Sequence, residues 1–529
     1  MISYRFNNIK IPISKLWKED LEKFVEKNLS LSPNSYSLEL LKRSVDLRRG
    51  RRDFICHIVI KVENPISKKI IGKNHGQVYT FRDYSYDGLE KTMNPIVVGA
   101  GPAGLFAAYS LALRGANPVV IEQGKPVEER IHDVEKFWET GNLNSSSNIQ
   151  FGEGGAGAFS DGKLTSRSKD PRITEVLKVF VKHGGPEDIL YVNKPHIGTD
   201  LLRKVIVNIR KTILSLGGRF YFNHEVEGLL IEGTQVVGVK TKERNFHSNT
   251  IILATGHSAR HLFYALEDVV AMENKPFAVG LRIEHPQFMI NEVQYKKDAL
   301  IEEILGAADY HLTWGCKEEN RGTYTFCMCP GGLVVGAASE ENHLVVNGMS
   351  YHARDLKNAN SALLVTVDER DYGKELFAGI EFQRKLEKKA FDLGGGGYIA
   401  PVQSVPSFLG KDHKMMTSPT YLPGTKESDL RSLFSTDLVE KLQMALKEMD
   451  QKLPGFGGPL GTLTGVESRS SSPVRLLRNR DMESVNVKGL YPIGEGAGYA
   501  GGIMSSAVDG LKVAERLWEV SKNKKEKLC

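Results

Sequence analysis

The sequence predicts an α/β fold, and three observations carry that expectation. Residues 94–124, NPIVVGAGPAGLFAAYSLALRGANPVVIEQG, read as strand, glycine turn, helix and strand. A second glycine turn, in LYPIGEGAGYAGGIMSS, follows a short strand near the end of the chain. Between them, from about 275 to 460, strand-like runs dominate. The expected organisation is a Rossmann-like nucleotide domain in two pieces, 91–274 and 461–529. An inserted substrate domain on an antiparallel sheet occupies 275–460, and an N-terminal α+β module occupies 1–90.

In the first motif, Ile96, Val97 and Val98 are β-branched and predict a buried strand. Gly99 allows the tight turn, Gly101 lets backbone approach a pyrophosphate, and Gly104 lets the helix pack closely on the strand. Pro102 and Ala103 open that helix, which runs to about Arg114 and aims its first amides at the phosphates. Pro118 to Ile121 predicts the second strand. Glu122 ends it, eighteen residues past Gly104, beside Gln123. An acid there suits a ribose hydroxyl pair and repels a 2′-phosphate, so this segment fits FAD or NAD and disfavours NADP. Arg130, on the polar helix that follows, completes this part of the expected cofactor set.

Before the motif, Tyr4 to Ile11 reads as a strand, Leu16 to Lys27 as a helix, and Tyr36 to Arg48 with Phe54 to Val62 as a hairpin. The hairpin carries Lys42, Arg43, Arg48, Arg49, Arg51 and Arg52. No aromatic interleaving accompanies these cations, so a solvated turn accounts for them better than a nucleic-acid patch. After the motif comes GEGGAGAFSDGKL, whose glycines imply close approach to a ligand and place Gly155, Ala156 and Gly157 at the cofactor. Thr199 to Leu216 is helical. Phe220 to Gly228 and Gln235 to Lys240 read as strands, bringing Val226 to the nucleotide. Thr250 to Leu253 leads into Ala254, Thr255 and Gly256. Further strands are expected at Phe277 to Ile283, Thr323 to Cys329, Leu333 to Ala338 and Ala362 to Val367. Helices are expected at Phe377 to Asp392 and Thr436 to Gln451.

The C-terminal turn decides between the two cofactors. Gly494 and Glu495 place an acid where a ribitol hydroxyl would sit, and Gly502 and Ile503 begin a helix facing a pyrimidine carbonyl. NAD needs no such second element, so FAD is expected, held non-covalently. No second GxGxxG and no CxxxxC pair follows, so any NADH or NADPH would be a transient reductant.

These ends resemble the two-dinucleotide-motif flavoproteins, with their glutathione-reductase-like FAD fold. The middle resembles a mostly bacterial family of uncharacterised FAD-dependent dehydrogenases. It does so through LKRSVDLR (41–48), GEGGAGAFSDGKL (152–164), PHIGTDLL (195–202), FAVGLRIEHPQ (277–287), FCMCPGG (326–332), NGMSYHAR (347–354) and GVESRSSSPVR (465–475). That resemblance implies a flavin and redox activity and supplies no reaction. Glu495 stands where the wider superfamily often has Asp.

Candidate protic groups are His257, His285, Lys163 and Tyr499. Arg469 and Arg475, around three serines, are candidates for a substrate carboxylate or phosphate. Cys327 and Cys329 stand two apart on an apparent strand, so both thiols are expected on one face, packed in a core rather than serving as a redox pair. No zinc-ligand spacing is present. A net charge of +6 over 529 residues is mild, and no apolar run reaches membrane-spanning length. Five cysteines make no disulfide framework, which favours a cytoplasmic setting. The tail 522–529 is expected to fray. The function expected is an FAD-dependent oxidoreductase acting on a small, anionic molecule, with no membrane or nucleic-acid partner and an open oligomeric state. The alternative is a flavin-bearing binding or RNA-associated protein in which FAD is structural or sensory.

Overall fold

A computed structural model describes residues 1–529 except 82–83, 87, 89–92, 167, 317–319 and 527–529. The boundary expected near 90, and Cys529 at the end of the expected frayed tail, lie outside the described residues. At the centre, short strands, the inner three rich in β-branched residues, form a five-stranded parallel sheet in the order Leu490–Pro492, Ile251–Leu253, Ile96–Val98, Val119–Ile121, Arg219–Tyr221. The first strand of the fingerprint is therefore central, and the last strand of the chain returns to the edge. That leaves a crevice at the strands' carboxyl ends, where such sheets take ligands.

The fingerprint helix, Pro102–Leu113, is apolar on all sides because it is enclosed. The long C-terminal helix Ile503–Glu526 packs along it, and Thr199–Ser215 covers another face. Gly510 makes the first contact possible, since a Cβ there would lie 2.8 Å from the Ala107 amide.

Between the two halves stands an eight-stranded sheet, ordered Thr313–Cys316, Arg321–Gly336, Asn358–Val367, Phe277–Pro286, Thr462–Glu467, Ala400–Ser404, Thr425–Glu427, with Val346–Met349 paired to Arg321–Gly336. Its pairings are antiparallel except that of Ala400–Ser404 with Thr425–Glu427. On Phe277–Pro286 the alternation is clean. Val279, Leu281 and Ile283 enter the main core of this sheet, whereas Arg282 and Glu284 occupy the opposite face. The two runs expected at Thr323 to Cys329 and Leu333 to Ala338 form one strand, because Pro330 and two glycines are absorbed as register shifts rather than as a turn. Phe220 to Gly228, expected as one strand, is two. Arg219–Tyr221 joins the parallel sheet and Val226–Glu232 a separate three-stranded antiparallel sheet.

The N-terminal residues run strand, helix, strand, strand, helix, strand: Ile2–Pro12, Trp17–Leu29, Tyr36–Asp46, Asp53–Val62, Lys68–Lys73, Gln77–Val78. The sheet order, with Asp53–Val62 and Ile2–Pro12 inside and Tyr36–Asp46 and the short Gln77–Val78 at the edges, is that of a ferredoxin-like unit. Its aromatic side chains Tyr4, Phe6 and Phe54 point into its own core. In the basic turn, Arg48 and Arg51 pair with Asp46, and Arg52 pairs with Asp298.

Candidate functional site

At the carboxyl ends of Ile96–Val98 and Val119–Ile121 lies a small cleft open to solvent. Gly99, Glu122, Gln123, Val226 and Thr255 line it, as the sequence leads one to expect, together with Phe151, His224 and His261. Phe151 directly precedes the glycine loop at Gly152, His224 lies between two strands, and His261 stands on the helix Arg260–Ala265. His261 stands at the rim, 2.9 Å from Glu225. The cleft offers an apolar floor with a carboxylate at one end, which suits an adenosine.

The glycines divide by what they face. A Cβ on Gly99 would strike the Ala254 carbonyl, and one on Gly104 would strike that of Gly99, so both are needed for the strand–turn–helix packing itself. At Gly101 only the Gly155 backbone approaches, at 3.8 Å, and beside Gly256, Gly501 and Gly502 nothing stands within 4 Å. These four leave backbone open to the crevice, forming the cradle that a pyrophosphate and a planar ring require.

Glu122 is buried, and its carboxylate accepts the amides of Ala100 at 2.7 Å, Gly124 at 3.0 Å and Gly152 at 2.9 Å. It therefore ties together the turns around the cleft that it also lines. Arg130 is a correction. Its guanidinium is fully buried and donates to the carbonyls of Asn148, Ile149, Gly152, Glu153 and Gly155. It holds the glycine loop from behind instead of meeting a cofactor, because its rigid fork of donors is spent on five inward-facing carbonyls. The loop so held lies against both nucleotide-binding ends: Gly155 against Gly101, and Gly157, whose Cβ would be 2.9 Å from Ile503.

At the second turn, Glu495 stands 3.3 Å from His257 Nδ1, and His257 Nε2 is buried with no hydrogen-bond partner among the described residues. Gly494 donates to Asp509 at 2.8 Å, which also holds Arg478. These groups fit FAD. Glu122 would face the adenosine, the open glycine backbone the pyrophosphate, and Glu495 with the orphaned His257 nitrogen the ribityl chain.

The sheet meets the glycine loop through Lys163, whose ammonium donates to the Met328 carbonyl. Next to it Cys327 is exposed while Cys329 is buried, so the thiols do not share a face. A φ of +42° at Cys327 and the register shift there break the alternation. Behind them Arg282, fully buried, donates to the Cys327 carbonyl at 2.6 Å, to Cys329 Sγ at 3.3 Å, to Asn360 and to both oxygens of Glu467. Asp161 is held by Arg354 in a two-point pair. Tyr499 is partly exposed, stacked beneath Arg478 at 3.9 Å.

His285 and Arg469 are further corrections. His285 is sealed in the sheet's core, donating from Nε2 to the Phe456 carbonyl at 2.9 Å, and burial pushes its pKa down to about 4. It reaches no ligand. Arg469 gives its donors to Glu387, Ser258 and Ser339, and Glu387 also takes Arg260. Those buried pairs clamp the Ala254–Arg260 turn to the large sheet and commit four of the five guanidinium donors to protein.

Two family models match the chain. One is described as an FAD-dependent protein, C-terminal domain-like, over residues 276–470, and the other as an FAD binding domain, over 94–132. An uncharacterised protein of Clostridium beijerinckii is 45% identical over 535 residues, spanning 98% of this chain and 99% of its own. The chain belongs to this family of FAD-dependent proteins. Among solved structures, glycine oxidase of Bacillus cereus aligns at 11% identity over 82% of this chain and 96% of its own, TM-score 0.32. The glycerol-3-phosphate dehydrogenase of Bacillus halodurans, solved with FAD, aligns at 12% identity over 83% and 66%, TM-score 0.35. Among the described residues no helix is long and apolar enough to cross a membrane.

Proposed function

We propose that this family member is an oxidoreductase of the two-dinucleotide-motif type, moving a hydride between non-covalently held FAD and a small anionic molecule in a reducing, cytoplasmic setting. FAD supplies a two-electron hydride donor and acceptor at N5. The supporting observation is the Lys163–Met328 contact. It brings the glycine loop, already touching Gly101 and Ile503, against the large sheet beside the exposed Cys327. Protein from three parts of the chain thus surrounds the place where the two nucleotide-binding ends converge. Lys163 is a protic group at that junction and is assigned to orient the reacting partner or hold a proton there. Tyr499, on the second turn, is the other candidate. The basic hairpin, with three of its cations paired to Asp46 and Asp298, favours a solvated surface over an RNA partner.

Anaerobic mixing of the FAD-loaded protein with NADH, NADPH and a panel of unsaturated acids tests this reading through flavin bleaching and recovery. One nicotinamide is expected to bleach the flavin, and one panel member to restore it. Lys163→Met should bind FAD normally and slow both steps by at least tenfold. Bleaching no faster than that of free FAD with every reductant would defeat the oxidoreductase reading.

A further inference from the structure

Lys275 is a cation that no motif marks. It follows the short strand Met272–Asn274, which pairs antiparallel with Val474–Leu476 so that Glu273 lies opposite Arg475. Its own amide donates to the Pro473 carbonyl at 2.8 Å. Residues two apart on a strand share a face, so Glu273, Lys275 and Arg475 emerge from one side of this ribbon. Diagonal partners of this kind are roughly 7–8 Å apart, within reach of one ligand by long side chains.

The ribbon carries the chain into and out of the large sheet, and it lies on the second glycine turn. A Cβ on Gly498 would stand 3.0 Å from the Arg475 backbone, and Ser472 Oγ is 3.3 Å from the Gly496 carbonyl.

Among the described residues Lys275 has neutral acceptors and no counter-ion, and Arg475, over the Tyr499 ring at 5.6 Å, keeps one guanidinium nitrogen unpartnered. Lys275 is half-buried; its ammonium donates to Ser471 Oγ at 2.7 Å and reaches the Ser472 carbonyl at 3.5 Å. Among the described residues no carboxylate pairs with it. Burial, then the Arg475 charge, push its pKa down, against a weaker pull from Glu495. Arg475 pairs through Nη1 with Glu273 at 2.9 Å, both side chains being well exposed, and its Nε is buried without a partner among the described residues. An exposed pair is worth little and exchanges readily. The other charges at this turn are already engaged, Glu495 beside His257 and Arg478 with Asp509. A half-buried ammonium without a counter-ion, next to a second cation, carries a desolvation cost that a bound oxyanion would offset.

We propose that Lys275 and Arg475 form an oxyanion subsite on the second glycine turn, seating the carboxylate or phosphate of the small molecule. This rests on the oxidoreductase reading and replaces Arg469, which is consumed by Glu387, with Lys275. Calorimetric titration of the oxidised, FAD-loaded protein at constant ionic strength tests it, with oxalate in one arm and inorganic phosphate in the other. Saturable binding is expected in one arm, and that arm identifies the oxyanion. Lys275→Met and Arg475→Gln should each weaken it at least tenfold with FAD still bound, and Lys275→Arg should restore most of it. No saturable binding of either anion, or binding unchanged in both Lys275→Met and Arg475→Gln, overturns the subsite. No reductant is present, so anion binding by a protein whose flavin nothing bleaches would keep the subsite and defeat only the redox reading.

Discussion

Single residues carry most of what was legible at the nucleotide end. The roles of Gly99, Gly101 and Gly104 follow from spacing because each concerns local backbone, and the structure separates them by what a Cβ would meet. Gly104 faces protein and Gly101 faces the crevice. Gly101→Val should therefore leave circular dichroism and cooperative unfolding near wild type while the purified protein loses its flavin absorbance. Gly104→Val should fail to fold, because the Gly99 carbonyl occupies the space its side chain needs. A folded, yellow Gly101→Val protein would show that the pyrophosphate does not pass that backbone. Arginines were the opposite case. Arg130 and Arg469 looked like anion binders because a guanidinium's partners cannot be read from its neighbours in sequence. Carbonyls up to 25 residues away and the carboxylate of Glu387, 82 residues away, claim them.

At the scale of elements, long periodic segments were legible and irregular ones were not. The helices expected from Thr199 and Thr436 run Thr199–Ser215 and Thr436–Lys452. The second half of the ferredoxin-like unit escaped notice because a six-residue helix and a two-residue strand show no period. The strand Arg321–Gly336 misled twice, since its register shifts hide both its continuity and the facing of its thiols. Although Cys327 is exposed to solvent, desolvation by the surrounding protein pushes its thiol up to about 12 in spite of the Arg282 guanidinium; burial also raises Cys329. Neither supplies a thiolate near neutrality. Replacing both by serine should leave the rate of flavin reduction within about twofold, measured by stopped-flow with FAD content matched. A tenfold loss with fold and FAD intact would establish a redox role.

For the whole molecule, the split nucleotide fold was legible because its two glycine turns are local signals at the ends of the chain. The way the halves are joined was not. The joining groups are buried ionisable side chains from distant segments, and these set the response to pH. His196, stacked on His352, and His285, inside the large sheet, are both held near pKa 4, first by burial and for His196 also by Arg354. Unfolded histidine titrates near 6.5, so between those values the unfolded chain binds more protons. Their stabilisation is complete above about 6.5 and is lost as pH falls through about 4. Glu153 runs the other way: burial raises it to about 7, so its contribution is present below about 4.5 and is lost as pH rises through 7. Burial also lowers His57 and His183 and raises Glu284 and Glu467, so four histidines stand against three glutamates and acidification is destabilising. Below the carboxylate range Glu387, held far down by Arg260 and Arg469 against its desolvation, adds to the loss. Thermal unfolding followed from pH 7 to pH 4 should show a falling midpoint, and Glu153→Gln should steepen the fall by removing one opposing group. A midpoint that is level or rises on acidification would mean that His196 and His285 are not buried as neutral rings.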